Sequence, residues 1–599
     1  MAGILASLRR RHPLLAVMII CFITWLPGFF TLPPLDRDES RFAQATKQML
    51  ESHDFIDIRL GQDSRYQKPV AIYWLQAATT SAFGAGDISS IWTYRVPSLL
   101  GAFLAVAAVF WMVRASAFVK TTADQASPIS PAEAFSEGGF AGAEIAFNAA
   151  LILGLSVLVM SEAKIAKTDA MLLGMVAAAQ AVLMRAYLSR RSATFPPSVW
   201  QSASALPATS PAGGGGKLPL TIALMGWGAF GFGVLVKGPV IAMVCAATIG
   251  VLVIADRDWR WLKSLRPALG IPLALAIILP WVIAIGVASH GAFFEKSLGQ
   301  DFAQKLVGEQ ETHGAPPGYY ALLSAFTFWP GTLLLLPALV HAWKQRANPP
   351  IRFLVVWAAS TWIIFELVPT KLPHYVLPAY PALAALCAIS IKAWTRDAKP
   401  GFRIAQYVSL ALFAVVGIGL AAFVAIAPLR LGGDSPWWLY ACAVAAMAAV
   451  LSVLWPALSC RPGIALARAG AAAILVYGIA GFATVPRLTD LWLSPRMAAA
   501  VARHVQPGDP PVVTAGYAEP SIQFLLGTQT SLDDGADAAR AAAQSGGLVL
   551  VSDDQRGAFL AGIADGGARA TALEVVPGLD YSRGRKMRIT LYRIAPAPK

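Results

Sequence analysis

Charged side chains are scarce in this chain, making up 14% of its 599 residues, whereas hydrophobic residues make up 56%. Because a soluble domain carries about 25% charged residues, this composition excludes an ordinary soluble enzyme. The apolar residues form blocks of about 17 to 25 residues, the length that crosses a bilayer as a helix. The blocks show none of the alternating polarity of barrel strands, so the sequence predicts an α-helical polytopic membrane protein.

Cysteine and histidine are also rare, with five and seven residues. The cysteines lie in or beside apolar blocks, and no pair stands on the side that we predict to be outside. This placement predicts neither a disulfide framework nor a zinc site. His313 and His374 lie in separate loops, which is more typical of hydrogen-bonding residues than of metal ligands. We therefore expect no cofactor, with a divalent metal as the open alternative.

Positive charge exceeds negative charge by a formal 14 units, and its placement indicates orientation. Three arginines at 9–11 precede the first apolar block, which has no small-residue cleavage site and is therefore predicted to be retained as a span. Basic clusters recur near residues 190, 260, 346 and 399, in alternate loops, which is the positive-inside pattern. The sequence thus predicts a cytoplasmic N-terminus, membrane lipids as the surroundings, and no nucleic-acid partner.

About thirteen apolar blocks are predicted to span the membrane, and the sequence 237–239 (KGP) divides one long run into two. They lie near residues 13–32, 92–112, 145–160, 170–188, 218–236, 238–255, 268–287, 321–341, 353–368, 377–391, 404–427, 437–457 and 469–485. We therefore expect a transmembrane domain over residues 1–485. An odd count places residues 486–599 outside, where β-rich runs alternate with helix-prone stretches and predict a small soluble α/β domain.

The first outer loop, residues 33–91, carries two informative strings. In the first, residues 36–41 (DRDESR) lead into apolar residues at helical spacing, which predicts a helix lying in the membrane interface. Asp36 and Glu39 have the spacing of a capping box, so one acid is explained by capping alone. Asp38 is not needed for a cap. Asp38 and Glu39 are therefore the candidate catalytic acids.

The second string, residues 66–74 (YQKPVAIYW), contains Lys68. This lysine either snorkels at the interface beside aromatic side chains or lies close to Asp38. A carboxylate that takes a proton and a cation that holds a departing phosphate are the two groups needed to move a sugar off a lipid phosphate. The second interpretation therefore predicts a transferase site in this loop.

Three further outer segments carry polar side chains. The short turn 161–169 holds four charges, the loop 288–320 is rich in acids, lysines and tyrosines, and residues 371–375 (KLPHY) lie between two spans. Such charges are either solvated loop residues or members of a common site, since charge is costly near lipid.

Five motifs occur in the order found in the bacterial branch of the C-type membrane glycosyltransferases, which are related to protein O-mannosyltransferases and to the lipid A aminoarabinose transferase. They are DESRFA at 38–43, QKPVAIYW at 67–74, KTDA at 167–170, KGP at 237–239 and KLPHYVLP at 371–378. The chain resembles this family over most of its membrane part. The resemblance implies a C-type glycosyltransferase fold in the bacterial inner membrane, with the C-terminal domain in the periplasm.

The resemblance also implies the chemistry: a polyprenyl (undecaprenyl) phosphate sugar donor and a lipid or glycan acceptor, lipid A or lipopolysaccharide. It makes Asp38 the catalytic base or the residue that orients the acceptor, with Glu39 beside it. The residues expected at the donor phosphate are Lys68, Lys305, Tyr319, Tyr320 and Arg41. The remaining residues expected at the site are Asp169, Lys167, Lys371, His374, His313 and Glu519, the last from a C-terminal motif, GYAEPS at 516–521.

Gln67 departs from the family pattern, because the aminoarabinose transferases usually have glutamate before this lysine. A neutral amide is not an anionic ligand, which leaves the metal, the sugar and the acceptor open. One alternative is a protein O-mannosyltransferase that acts on serine or threonine. Another is a transporter or flippase for the lipid-linked sugar, which many spans also suit. We prefer the transferase because the charges gather in outer loops.

Overall fold

A computed structural model of the chain describes residues 2–35, 37–115, 131–192, 218–297 and 315–596. Within these ranges the N-terminal part is helical. Its α-helices are α1 Ala2–Arg11, α2 Pro13–Trp25, α3 Asp38–Ser52, α4 Ala71–Phe83, α5 Ile91–Ala115, α6 Pro131–Leu155, α7 Val157–Glu162, α8 Asp169–Ser192, α9 Leu220–Lys237, α10 Val240–Asp256, α11 Pro267–Ala288, α12 Ala292–Phe294, α13 Tyr319–Thr327, α14 Thr332–Lys344, α15 Pro349–Leu367, α16 Tyr380–Ser390, α17 Pro400–Arg430, α18 Trp437–Leu451, α19 Leu454–Leu458 and α20 Pro462–Ile479.

Nine helices in the described ranges are long and apolar enough to cross a membrane. Every one of the predicted spans coincides with an apolar helix, although four of these helices are shorter: Pro13–Trp25, Gly142–Leu155, Val240–Asp256 and Thr332–Lys344. The predicted helical membrane class is therefore confirmed, and the number of crossings stays a prediction. The predicted break in the long apolar run is also present. Gly238 adopts a φ of 61° between α9 and α10, and Pro239 directly precedes α10.

The first outer loop folds into α3, a short hairpin and α4. The hairpin pairs β1 Arg59–Leu60 with β2 Asp63–Ser64. Phe42, Thr46 and Met49 are buried on one face of α3, as their spacing predicts. This face packs against protein: Phe42 stacks near Tyr73 of α4, with ring centroids 5.5 Å apart. Other parts of the chain therefore cover this face of α3, and the position of the helix in the membrane interface stays a prediction.

The C-terminal part is an α/β unit, as predicted. Its helices are α21 Leu493–His504, α22 Pro520–Leu526, α23 Gly535–Ser545 and α24 Arg556–Asp565, and its strands are β3 Val513–Ala515, β4 Ser531–Asp533, β5 Gly547–Ser552, β6 Arg569–Asp580 and β7 Arg585–Ala595. The sheet order is β4-β3-β5-β7-β6, with β3 parallel to β4 and β5. Strand β7 lies between β5 and β6 and is antiparallel to both.

The two faces of this sheet build two separate cores, and strand β5 contributes to both. Leu548 and Leu550 belong to one core, whereas Val549 and Val551 belong to the other. Successive side chains of a strand point to opposite faces, so a strand that is covered on both sides is apolar throughout. This explains the continuous apolar run that the sequence shows at this position.

Candidate active site

A cavity of about 320 Å³ lies where several of the expected site residues meet. Most of its wall is apolar, and its lining includes the ionisable residues Lys68, Asp169, Lys237 and His374. The apolar lining includes Leu172, Val240, Met243, Ile364, Phe365, Leu367, Val368 and Leu377. A concave apolar site with a few polar groups on one wall suits an amphiphilic ligand. A lipid whose headgroup is an anion has this character.

Each of these ionisable residues stands at the end of an apolar helix or in a turn. Lys68 precedes α4, Asp169 is the first residue of α8, and Lys237 is the last residue of α9. His374 lies in a 3-10 turn, Pro373–Ala379, which leads into α16. Charge is least costly at helix ends, away from the hydrocarbon centre. The helices therefore deliver polar groups from four segments of the chain to one place.

Asp169 is the centre of a buried ion-pair network. Its carboxylate lies 2.5 Å from the Lys237 ammonium and 3.6 Å from that of Lys167. Lys167 in turn pairs with Glu162 at 2.9 Å, and His374 Nε2 lies 3.9 Å from Asp169. Burial raises the pKa of Glu162 to about 7, against the opposing effect of Lys167. When Glu162 is ionised, the two carboxylates and the two ammoniums balance each other's charge.

Glu162, Asp169 and His374 offer ligand atoms within 4.8 Å of one another, a set of residue types that zinc accepts. The ammonium groups of Lys167 and Lys237 already lie against the two carboxylates. A divalent cation in this cluster would face both ammoniums at short range, where like charges repel strongly in a buried setting. In this structure these donors form an ion-pair network, and the expected absence of a metal stays a prediction.

Asp38 is exposed at the first position of α3. The Asp38 carboxylate affects the pKa of Lys167. Burial alone would lower the pKa of this lysine, but the nearby carboxylates of Glu162 and Asp169 raise it above its usual value, and Asp38 adds to this rise. Burial raises the pKa of the Tyr73 hydroxyl, and the negative charge of Asp38 adds to this rise. Asp38 is thus electrostatically linked, through Lys167, to the network that lines the cavity.

Glu39 has a different environment from its neighbour. It is 1% exposed, and its carboxylate receives two hydrogen bonds from the Arg95 guanidinium, at 2.8 and 2.9 Å. It also accepts the backbone N–H groups of Leu35 and Ala166, both at 2.9 Å. With both oxygens engaged in this way, Glu39 is placed to hold the loop. Asp38, in contrast, is exposed.

Like Asp38, Glu39 and Lys167, several other expected residues lie outside the cavity lining. Lys371 pairs with Glu366 at 3.1 Å and donates to the carbonyl oxygen of Ala315 at 3.0 Å. Tyr319 is half-buried and Tyr320 fully buried at the start of α13, and Arg41 is half-buried on α3. Lys371 therefore anchors the end of the 288–320 loop in the described structure.

Glu519, from the C-terminal domain, accepts the backbone N–H of Arg37 at 3.0 Å and thereby reaches the residue before Asp38. Lys305 and His313 lie outside the described residues, so their expected roles stay predictions. Two residues that the sequence did not single out have clear partners. Lys237 pairs with Asp169 and lines the cavity, and Arg95 pairs with Glu39. The sequence marked Lys237 only as part of the KGP motif, and it gave no signal for Arg95.

No family model matches the chain. An undecaprenyl phosphate-alpha-4-amino-4-deoxy-L-arabinose arabinosyl transferase from Edwardsiella ictaluri is 27% identical over 424 residues, which is 70% of this chain and 66% of the relative. A protein of the same name from Pseudomonas paraeruginosa is 25% identical over 420 residues, 67% of this chain and 64% of the relative. The match therefore spans about two thirds of the length of these curated relatives.

Two crystal structures of ArnT from Cupriavidus metallidurans share the fold. The structure bound to undecaprenyl phosphate matches with a TM-score of 0.68 at 17% sequence identity, and the match covers 98% of this chain and 99% of the ArnT chain. The apo structure has a TM-score of 0.67 at 18% identity, with 97% of each chain covered. The predicted C-type glycosyltransferase fold is thus confirmed. In sequence and in fold, the chain is thus similar to proteins named as aminoarabinose transferases.

Proposed function

We propose that this chain is a multi-pass inner-membrane glycosyltransferase that moves a sugar from undecaprenyl phosphate to lipid A. The observation that carries the proposal is the cavity, whose apolar wall meets Lys68 and Lys237. Such a site offers an apolar wall to the first isoprene units of a prenyl chain and cations to a phosphate at its end. The names of the sequence relatives and of the solved ArnT structures support the same donor.

The proposed step exchanges one bond at the anomeric carbon for another and moves one proton to Asp38. An acceptor oxygen attacks the anomeric carbon of the sugar while Asp38 takes the proton from that oxygen. The bond between the anomeric carbon and the phosphate oxygen breaks, and undecaprenyl phosphate leaves with its charge neutralised by Lys68 and Lys237. Atoms and charge balance without a further reactant. Lys305, predicted at this phosphate, would add a third cation.

The sugar and the orientation are further parts of the proposal. The relatives' names make 4-amino-4-deoxy-L-arabinose the first donor to test. The positive-inside pattern supports a cytoplasmic N-terminus, with the first outer loop and the C-terminal domain in the periplasm. Asp38 then faces the compartment from which lipid A is accessible.

The test uses the purified full-length protein in liposomes that contain the undecaprenyl-phosphate-linked sugar and lipid A. Mass spectrometry of lipid A should show one added sugar with the wild type. In Asp38→Asn the rate should fall by about 100-fold or more, the usual effect of removing a general base. Asp63→Asn is the matched control, since Asp63 is an exposed acid of the same loop.

Each other result is informative. Undiminished transfer by Asp38→Asn would contradict the role of Asp38. Sugar that appears on serine or threonine of a peptide, with lipid A unmodified, would identify a protein O-mannosyltransferase instead. Movement of a labelled donor lipid across the bilayer without any transfer would identify a flippase.

A further inference from the structure

Two carboxylates fix the backbone on either side of Asp38. On its C-terminal side, Glu39 is held by Arg95 and by the Ala166 N–H group, all within the membrane domain. On its N-terminal side, the N–H group of Arg37 donates to Glu519, a residue 482 positions away in the C-terminal domain. The direction of the Asp38 side chain is therefore set jointly by two separate parts of the molecule.

Arg37 has a backbone conformation that requires such support. Its φ is 64° and its ψ is −112°, a combination that residues with a side chain rarely adopt. Strained backbone of this kind persists only where surrounding contacts hold it. The bond from Arg37 to Glu519 is such a contact, and it fixes the turn from which α3 starts.

Glu519 is itself held in place. It is 7% exposed, and its second oxygen accepts a hydrogen bond from the Ser582 hydroxyl. Ser582 stands in the turn that joins β6 to β7, and its Oγ also lies 2.7 Å from Asp580 Oδ1, so the two carboxylates share its single hydrogen. The carboxylate that reaches Arg37 is thus oriented by the last hairpin of the C-terminal sheet.

The same domain contacts α3 further along the helix. Gln44 donates to the Thr528 hydroxyl at 2.8 Å, and the Lys47 ammonium donates to the Phe524 carbonyl at 3.1 Å. From Arg37 to Lys47 this contact runs for about 15 Å along the helix, at the usual rise per residue. The domain is therefore docked on α3 independently of the Glu519 bond.

We propose that Glu519 is a positioning residue: it holds the strained turn at Arg37 so that Asp38 points at the acceptor. This inference rests on the proposed function, because it concerns the acid that the transfer uses. It assigns the soluble C-terminal domain a part in turnover, although none of that domain's residues lines the cavity among the described residues. Displacement of a reacting group by about 1 Å costs about 100-fold in rate, which sets the scale of the effect.

The test compares Glu519→Met, which keeps the length of the side chain and removes the acceptor, with Glu519→Gln, whose amide oxygen still accepts the Arg37 N–H group. In the liposome assay we expect kcat to fall by about 10-fold to 100-fold in Glu519→Met, with KM for the lipid donor unchanged. Glu519→Gln should keep most of the activity. Thr528→Val, which removes one hydrogen bond between the same domain and α3, should stay within about twofold of the wild type.

Amide hydrogen exchange at residues 35–40 separates positioning from a general loss of structure. Exchange should rise at the Arg37 amide in Glu519→Met and stay as in the wild type in Thr528→Val. Unchanged kcat in Glu519→Met, a raised donor KM, or an equal loss in Thr528→Val would each overturn the inference. If Glu519→Met does not fold, Ser582→Ala decides: a lowered kcat supports positioning, and wild-type kcat contradicts it.

Failure of the proposed function has a different signature. If the wild type transfers no sugar, or if Asp38→Asn transfers it at the wild-type rate, the function of Asp38 is wrong. In that case the exchange measurement still reports whether Glu519 holds the turn. If Asp38→Asn loses transfer while Glu519→Met keeps the wild-type rate, the proposed function stands and only the positioning role of Glu519 is refuted.

Discussion

Replacing Arg95 with methionine should destabilise the protein far more than the loss of an ordinary ion pair. The Arg95 and Glu39 side chains are only 2% and 0% exposed, and they are 2.8 Å apart. The guanidinium also donates to the carbonyl oxygens of Phe29 and Leu32, both at 2.9 Å, and of Pro33 at 3.0 Å. Removing one partner of a buried pair costs about 3 to 5 kcal/mol, because the other charge stays buried without compensation.

The assay is unfolding of the purified protein by heat and by denaturant, followed by tryptophan fluorescence. Arg59→Met is the matched control. Arg59 pairs with Asp57 in the same loop, but its side chain is 57% exposed, and such exposed pairs contribute about 0.2 to 1 kcal/mol. Adding Glu39→Gln to Arg95→Met should restore part of the lost stability, because it removes the uncompensated charge. An Arg95→Met shift no larger than that of Arg59→Met would refute the reasoning.

Two further predictions concern the cavity. Lys237→Met should lower kcat/KM for the lipid donor by about 10-fold or more, because a charge-assisted hydrogen bond contributes about 1.5 to 3 kcal/mol. Lys263 is exposed, so Lys263→Met should have no effect. Equal activity of the two variants would contradict a role of Lys237 at the phosphate. Chelation with EDTA should leave transfer unchanged, because Lys167 and Lys237 occupy the carboxylates of Glu162 and Asp169; a loss that zinc restores would show that the cluster holds a metal.

The helices of the membrane part follow from the sequence because each depends on local composition. A block of apolar residues of the right length forms a helix wherever it stands, and Gly238 with Pro239 ends one helix and starts the next. The motifs also predicted which helix ends come together, since Lys68, Asp169 and His374 all line one cavity. Short β-rich runs were enough to predict that the C-terminal part contains a sheet.

The pairings at the site could not be predicted in the same way. Glu39 and Asp38 are adjacent acids with the same local pattern, yet Glu39 meets an arginine 56 residues away and Asp38 remains exposed. Lys237 looked like part of a helix break, whereas its ammonium pairs with Asp169, 68 residues earlier. Ion-pair partners are set by how helices pack, and the periodicity of a single helix carries no information about its neighbour.

The position of strand β7 has a consequence for biosynthesis. This strand is formed by residues 585–595, and it lies inside the sheet, between β5 and β6. The sheet therefore cannot be completed until residues 585–595 have been synthesised, and neither can the turn that carries Ser582. Until then Glu519 lacks the hydroxyl group that orients it. A polypeptide that lacks β7 would thus have its membrane helices but no fixed turn beside Asp38, and the site would be complete only once residues 585–595 had folded.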